Sequence, residues 1–535
     1  MSQVWDKDLL ISAYEQCGGN ATKAAKSVGC SRSAIQRALK KSKKKLKPIA
    51  AGSASPTELI KFPVPKTGVQ VYILTSAQNN TYVHDPVWNN LKALAEYRKG
   101  KILCASYTYN QNAFGKLSIK RGATVKHEGD LWYDPKIEHL LDDSDRDIEL
   151  APGLVWCGRT NTLPTATRPL TGLETYTGRK SGIFPHAKLA MESIPSGKYE
   201  PTKFNYTTGT ITQLNYIQKR EGIRAEKYHS YGGLIVEVSK NGWYVRQLEA
   251  DKNGTICDLD IIVENGKVRK ANVVEAINWG DIHVAHLDPD FAKLAWSKGG
   301  MLDQLKPKYQ LFHDTLDFYS RNHWNVGNPH AMFDRFISNK DSVSSEIELT
   351  AKFLDDVERP WCENVVVNSN HDLMLERWLK EEDYRTDPVN AVFFLEMQLA
   401  KYKAIAARKP FSAFERAARN FYELSRTKFL REDESFIVCK SNLHPDGIEM
   451  GMHGHLGVDG AKGNPRQFVR MSRPCNTGHT HKASIMDAVF TAGHSAVIDH
   501  GYNKGPGTWS CSHIITYVTG ARCIVTYWNG GYRGR

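Results

Sequence analysis

Five times between residues 273 and 481, an apolar run of strand length empties into side chains of metal-binding type. The runs are "VVEAINWGDIH", "YQLFHDTLD", "CENVVVNSNHD", "GIEMGMHGHLG" and "CNTGHTH". In turn they deliver Asp281 and His283, Asp314 and Asp317, Asn370 with His371 and Asp372, His453 with His455, and His479 with His481. Helical patterns such as "SEIELTAKFLDDVE" separate them. That alternation predicts an α/β fold, because strands feeding helices build a layered sheet whose carboxyl edge collects the polar ends. A single Asp-x-His is weak evidence, since the same pair is common in ordinary polar loops. Five such endings in order predict one site on one sheet edge.

As an ordered set, Asp-x-His, Asp-x-x-Asp, Asn-His-Asp, His-Gly-His and Gly-His-x-His resemble the motifs of the calcineurin-like metallophosphoesterases. The resemblance covers about Val273 to Ser484, under half of the chain. His313 and Ser369 stand where that family has glycines, before Asp314 and Asn370. The resemblance implies a four-layer αββα sandwich over residues 271–535 and a site for two divalent metal ions. One ion would sit on Asp281, His283 and His481, the other on Asn370, His453 and His479, with Asp314 bridging both. It further implies that His371 meets the substrate phosphate and assists the leaving group, that Asp372 orients its imidazole, and that Asp317 supports the site from outside. Of the two histidines in "HGH", His453 is taken as the ligand, because it directly precedes the glycine after the strand. An oxygen and nitrogen set without thiolate suits Mn²⁺, Fe or Zn²⁺, with Mn²⁺ preferred. His286, His323, His330 and His455 are read as packed or surface residues.

Charge is concentrated at the other end. The net charge is +13, and residues 1–47 hold eleven Lys or Arg against three Asp or Glu. In "DKDLLISAYEQ" the residues Leu9, Leu10, Ala13 and Tyr14 share a helix face. "ATKAAKSVG" repeats the pattern with Ala24, Ala25 and Val28 and stops at Gly29. "CSRSAIQRALKK" restarts from Ser31 as cap, with Ile35 and Leu39 inward. This resembles the helix-turn-helix of DNA-binding domains, and the outward Arg32, Ser33, Gln36, Arg37 and Lys40 are the candidate DNA contacts. A helical bundle used for oligomerisation has the same apolar spacing.

The expected organisation is therefore a helix-turn-helix at 1–45, a basic, proline-containing linker at 46–68, a β-rich accessory region at 69–270 and the phosphoesterase domain at 271–535. The last strands are expected to finish the second sheet of the sandwich. The long helical patterns between the third and fourth motifs are read as core, with a cap or an oligomer contact as alternatives. No apolar run is long enough to span a bilayer, no secretory signal pattern opens the chain, and ten scattered cysteines without a CxxC pair fit a reducing cytoplasm. The basic arm, and Arg, His, Asn and Trp in "FYSRNHWNVGNPH", tilt the substrate toward DNA. The layout is similar to the nuclease branch of the family, which includes the exonuclease subunit of double-strand-break repair and phage DNases that degrade host DNA. A phosphoesterase acting on nucleotides or other small phosphoesters is the alternative. A DNA-binding regulator with a degenerate phosphoesterase domain is the third.

Overall fold

The helices Lys7–Gln16 and Ala21–Val28 close on a small apolar cluster in the computed structural model, which describes residues 6–17, 21–31, 34–35, 38, 59–109, 132–141, 146–501 and 503–534. Leu10, Ala13, Ala24, Ala25, Ile35 and Ala38 are buried together, as a 3.6-residue period requires. Leu9, expected on the same face, instead points to solvent. Gly29 has φ +69° and the Cys30 amide reaches back to the Ala25 carbonyl at 2.9 Å, a left-handed helix stop. The Ala34 amide donates to Ser31 Oγ at 3.2 Å, so Ser31 caps the turn that carries Ala34 and Ile35. Arg32, Ser33, Gln36, Arg37 and Lys40 lie outside the described residues. These helices belong to a compact unit, Met1–Leu59, distinct from a second unit, Ile60–Arg535.

The second unit is mixed α/β. One sheet has six strands in the order Thr427–Phe429, Glu363–Val366, Tyr309–Phe312, Val274–Asn278, Ser512–Tyr517 and Arg522–Thr526. The first four are parallel and the last two antiparallel. Side chains alternate across it with period two. Ile277, Phe312 and Val366 pack with Phe291, Ile347, Leu354, Leu375 and Phe414 from the helices on one face. Ala276, Leu311 and Val365 turn to the other, against Ile448 and Met450. A line of side-chain hydrogen bonds fixes the register of the parallel strands. Trp279 Nε1 donates to Gln310 Oε1 at 3.0 Å, Gln310 Nε2 to Asn364 Oδ1 at 2.7 Å, and Asn364 Nδ2 to Thr427 Oγ1 at 3.2 Å. The expectation for the last strands holds in part, because Val489–Thr491 joins the second sheet whereas 512–517 and 522–526 extend this first one. As an antiparallel hairpin, 512–526 needs no crossover helix to pair beside Val274–Asn278.

The second sheet carries Ile448–Glu449, Cys475–Thr477 and Val489–Thr491 as parallel neighbours. Through Ser484–Met486 it continues to Met191–Ile194, then to Lys203–Thr207 and four further strands, eleven in the sheet as a whole. The division expected at 270/271 therefore falls inside one sheet and one core, where Ile183, Phe204 and Val236 pack with Ile485, Phe490, Ile514 and Ile524. Physically, a strand such as Gly232–Ser239, buried at every position, must be covered on both faces and is not a free-standing layer. The two main sheets are tied at their edge by Asn476 Nδ2, which donates to Asn278 Oδ1 at 2.7 Å. That tie sets the distance between Asp281 beyond one strand and His479 beyond the other.

Candidate metal centre

Asp281 sits three residues past its strand, bridged to His494, with its amide 3.1 Å from the Gly493 carbonyl. A side chain at Gly280 would crowd this backbone, since a Cβ there falls 2.7 Å from the His494 amide. His283 then departs from the strand line, with φ +46°. Alternation along an extended chain therefore does not aim it beside Asp281; a left-handed turn does. Asp314 at φ +44°, His479 at +71° and His481 at +53° share that conformation. Each such non-glycine residue costs on the order of 1 kcal/mol or more, and persists only where the surrounding structure over-determines it. The endings expected on one sheet edge thus lie on two, His283 and Asp314 beyond the first sheet and His479 and His481 beyond the second. Four such turns where those edges meet mark a place where side-chain direction outranks backbone comfort.

The turns gather two groups of donors that share Asp314, beside a third made by His283, Asp317 and His371. Asp281, His283, Asp314 and His481 bring one ligand atom each within 4.8 Å of one another, and so do Asp314, His453 and His479. His283 Nε2 and His481 Nε2 are 3.1 Å apart, and His481 Nε2 is 3.1 Å from Asp281 Oδ2. On the second side, His453 Nε2 lies 3.0 Å from Asn370 Oδ1 and 3.3 Å from Asp314 Oδ2. The structure thus brings together all seven residues named as ligands. His455 is not among them: it lies behind His453, with a ring separation of 5.3 Å.

The donors fit a cation. Asp281 is fully buried and neither carboxylate oxygen has a hydrogen-bond donor, because the nearby His481 Nε2 is not aligned to give one. A buried carboxylate left without a partner costs several kcal/mol, which a bound cation removes. Burial and the neighbouring Asp314 raise the Asp281 carboxyl above its ordinary range. Burial also acts on Asp314, yet the surrounding imidazoles, His453 first, hold it well below that range. His481 and His479 are both lowered, by burial first and then by His283 and His453 respectively, which leaves their lone pairs for a metal. Buried His/Asp clusters of this kind can hold a metal ion. Adding Mn²⁺ to chelator-stripped protein should accordingly raise its melting temperature. At a thousandfold over Kd the stabilisation is roughly 4 kcal/mol per site, and a flat melting curve across that titration would count against a cation site here.

Asp372 does not orient His371. Its Oδ1 accepts from the Leu316 amide at 3.0 Å and its Oδ2 from Ser369 Oγ at 2.7 Å, while burial and then Asp314 push it up to about 7. The next residue on a helical turn points away from its predecessor, and Ser369 claims it. Asp317 does the orienting instead. Its Oδ1 is 2.9 Å from His283 Nδ1 and 3.4 Å from His371 Nδ1, and its carbonyl is 3.2 Å from the latter. Burial pulls the His371 imidazole down, but Asp314 and Asp317 more than offset it and lift it to about 10. His313, at the other departure, is buried with its Nδ1 3.4 Å from His453 Nδ1. Burial lowers it to about 4, so it backs the ligand as a neutral ring.

Residues not read as functional from the sequence complete the site. His286, expected to be a packed or surface residue, stacks on His500 at 4.9 Å, and its Nε2 is 3.7 Å from Asp317 Oδ2. Trp509 packs on His481 at 4.2 Å. The available signal was the same polar ending after a strand, repeated in "FTAGHSAVIDHG" beyond the last motif. Asp314, Asn370, His371, His479, His481, Trp324 and other residues line a cavity of about 640 Å³. Among the described residues, no helix is long and apolar enough to cross a membrane.

Comparison with known proteins gives one relative over most of the length. The chain is 35% identical over 474 residues to a protein called Protein A1 from Escherichia phage T5, covering 86% of this chain and 82% of that one. No family model matches the chain, and no solved structure matches it.

Proposed function

We propose that this chain, which belongs to the family of Protein A1 of Escherichia phage T5, is a two-metal phosphodiesterase that cuts DNA. The observation that carries this reading is the pair of donor groups meeting at Asp314. Their order along the chain supports a calcineurin-like arrangement with the two large sheets as inner layers. Strands from 69–270 share the core between the sheets with Phe490 of the second and Ile514 of the first, and Phe468 of the short helix Pro465–Phe468 packs on Cys475 and Val489 of the second sheet. The seven residues would hold the ions as Asp281, His283 and His481 on one side, Asn370, His453 and His479 on the other, and Asp314 between, with Mn²⁺ preferred over Fe or Zn²⁺ for this ligand mix. When bound, such a pair supplies a hydroxide near neutral pH and stabilises the charge of an in-line displacement.

The chain's own residues then divide the remaining work. Asp317 holds His283 through Nδ1, which keeps the Nε2 lone pair directed at its metal. The same residue accepts from His371 Nδ1–H at its carbonyl, leaving His371 Nε2 for the cavity, where it would donate to a phosphate oxygen or the leaving group. DNA is favoured over small phosphoesters by the arm of residues 1–47, where the charge is +8. That arm would add phosphate contacts whose strength falls as salt rises. It also fits action inside an infected cell, on cytoplasmic DNA. The test is degradation of linear DNA with Mn²⁺ by wild type and His371→Ala. The variant should keep its metals and lose roughly 10²- to 10⁴-fold in rate. Wild type that hydrolyses small phosphodiesters with Mn²⁺, Mg²⁺ or Zn²⁺ but leaves DNA intact would move the substrate to nucleotides. Wild type that binds DNA and hydrolyses neither would leave the regulator reading.

A further inference from the structure

Five aromatic rings form a chain of neighbours through the site. Trp324 to His371 is 6.2 Å between ring centres, His371 to His283 4.7 Å, His283 to His481 5.1 Å and His481 to Trp509 4.2 Å. The inner three belong to the metal and phosphate machinery. The two ends are tryptophans, and both line the cavity that also contains Asp314 and Asn370.

Trp324 is 62% exposed, an unusual position for so large an apolar ring. It is not a loose surface residue. It lies on the short helix His323–Val326, whose Asn325 amide donates to Asn322 Oδ1 at 3.0 Å. Just before it, Arg321 grips both carboxylate oxygens of Asp387 at 2.7 and 2.8 Å, and the Tyr319 and Ser320 amides donate to Glu346 at 2.6 and 2.9 Å. His323 packs against the Trp324 ring at 4.1 Å, tilted by 39°. A flat apolar face is thus held in water at the mouth of a polar cleft by a rigid polar loop. Such a face matches the π-face of a nucleobase, whose stacking on an aromatic ring is sequence-tolerant.

Resting on the reading of this site as a DNA phosphodiesterase, we propose that Trp324 and Trp509 are stacking platforms for the nucleobases on either side of the phosphate being cut. The substrate is then an unpaired strand. In a duplex the base faces are occupied by their neighbours, and reaching the platforms requires unstacking that costs a few kcal/mol per base. A strand entering the cavity that both tryptophans line would bring its phosphate to the Asp314-centred donors, with a base on each tryptophan.

The experiment uses the full chain with Mn²⁺ and three DNAs of one length: a single strand, the same strand in a duplex, and a single strand whose nucleotides are all abasic. Wild type should cut the base-bearing single strand fastest. Trp324→Ala should raise KM on that strand on the order of tenfold with kcat within about twofold, and Trp324→Phe should restore most of the loss. On the abasic strand, wild type and Trp324→Ala should share one high KM, which a merely structural role for the tryptophan would not produce. Equal KM for the two proteins on the base-bearing strand, or wild type cutting abasic and normal strands alike, overturns the platforms while leaving the phosphodiesterase intact. Preference for the duplex overturns them as well. Wild type that cuts none of the three overturns the reading beneath them.

Discussion

Replacing Asp314 with Asn should empty both halves of the metal centre at once. Asp314 is the residue common to the two donor groups, and Asn keeps its size while removing the negative charge and one of the two anionic oxygens. Losing any other ligand leaves one group whole. With Asp314→Asn, each cation loses the anionic ligand it shares, and the pair loses the charge that screens one cation from the other. Metal content after dialysis should fall from two per chain to near zero, and cleavage by on the order of 10³-fold or more. The fold should survive, because Asn keeps the size of Asp314 and its Oδ1 can still accept from the His371 amide. Relief of the Asp281 carboxyl, which Asp314 helps to raise, is outweighed by loss of the anion that the surrounding imidazoles hold well below its ordinary range, so the metal-free variant should melt somewhat below metal-free wild type. Retention of two ions would mean that Asp314 is no bridge. Retention of one would mean that the sets are independent.

The residues that gather at the site were legible because they repeat one arrangement, an apolar strand that ends in a carboxylate, amide or imidazole. Sheet geometry turns such a repeat into proximity, with no need to know any loop. Direction was not legible in the same way. His283 and His481 reach the centre through left-handed turns, and nothing in their sequence neighbourhoods demands positive φ. Partner choice was hidden for a related reason. Asp372 is next to His371 in the chain, yet Ser369 and the Leu316 amide take it, and the more distant Asp317 holds the imidazole.

Residues 69–270 failed to read as part of the same core because their strands are covered by residues more than two hundred positions away. Ser193 Oγ, for example, donates to the Ala483 carbonyl at 2.7 Å. Composition reports that such strands are buried, but the identity of the covering surface is a tertiary fact. The arm is the reverse case. Its apolar spacing translated into a small buried cluster, because short helices depend mostly on local period and caps.

Gly478→Ala should remove one metal and spare the other. Gly478 opens the "GHTH" turn, and the space its missing side chain leaves is already taken. A Cβ there would overlap Asp281 Oδ1 and come within 3.1 Å of the His313 ring. Neither neighbour has room to retreat. Asp281 is fully buried with its backbone bonded to Gly493 and Ser495, and His313 is buried against His453. The methyl group must therefore push the Asp281 carboxylate off its place or shift the turn that carries His479 and His481. The first response is the smaller, since it rotates one side chain, whereas the second breaks the Gly478 amide bond to the His453 carbonyl at 2.8 Å. Overpacking of this kind costs about 1–3 kcal/mol, which a unit of this size should tolerate with a lowered melting temperature. Metal content should drop from two ions to one, with the ion on Asn370, His453 and His479 retained, and cleavage should fall by on the order of 10²-fold or more. Pairing the variant with Asp281→Ala separates the two responses. If the methyl acts by displacing Asp281, the double variant should hold the same single ion and melt above Gly478→Ala alone, because the overlap is gone. If the double variant loses both ions, the turn itself has moved, and Gly478 positions the histidines rather than the aspartate.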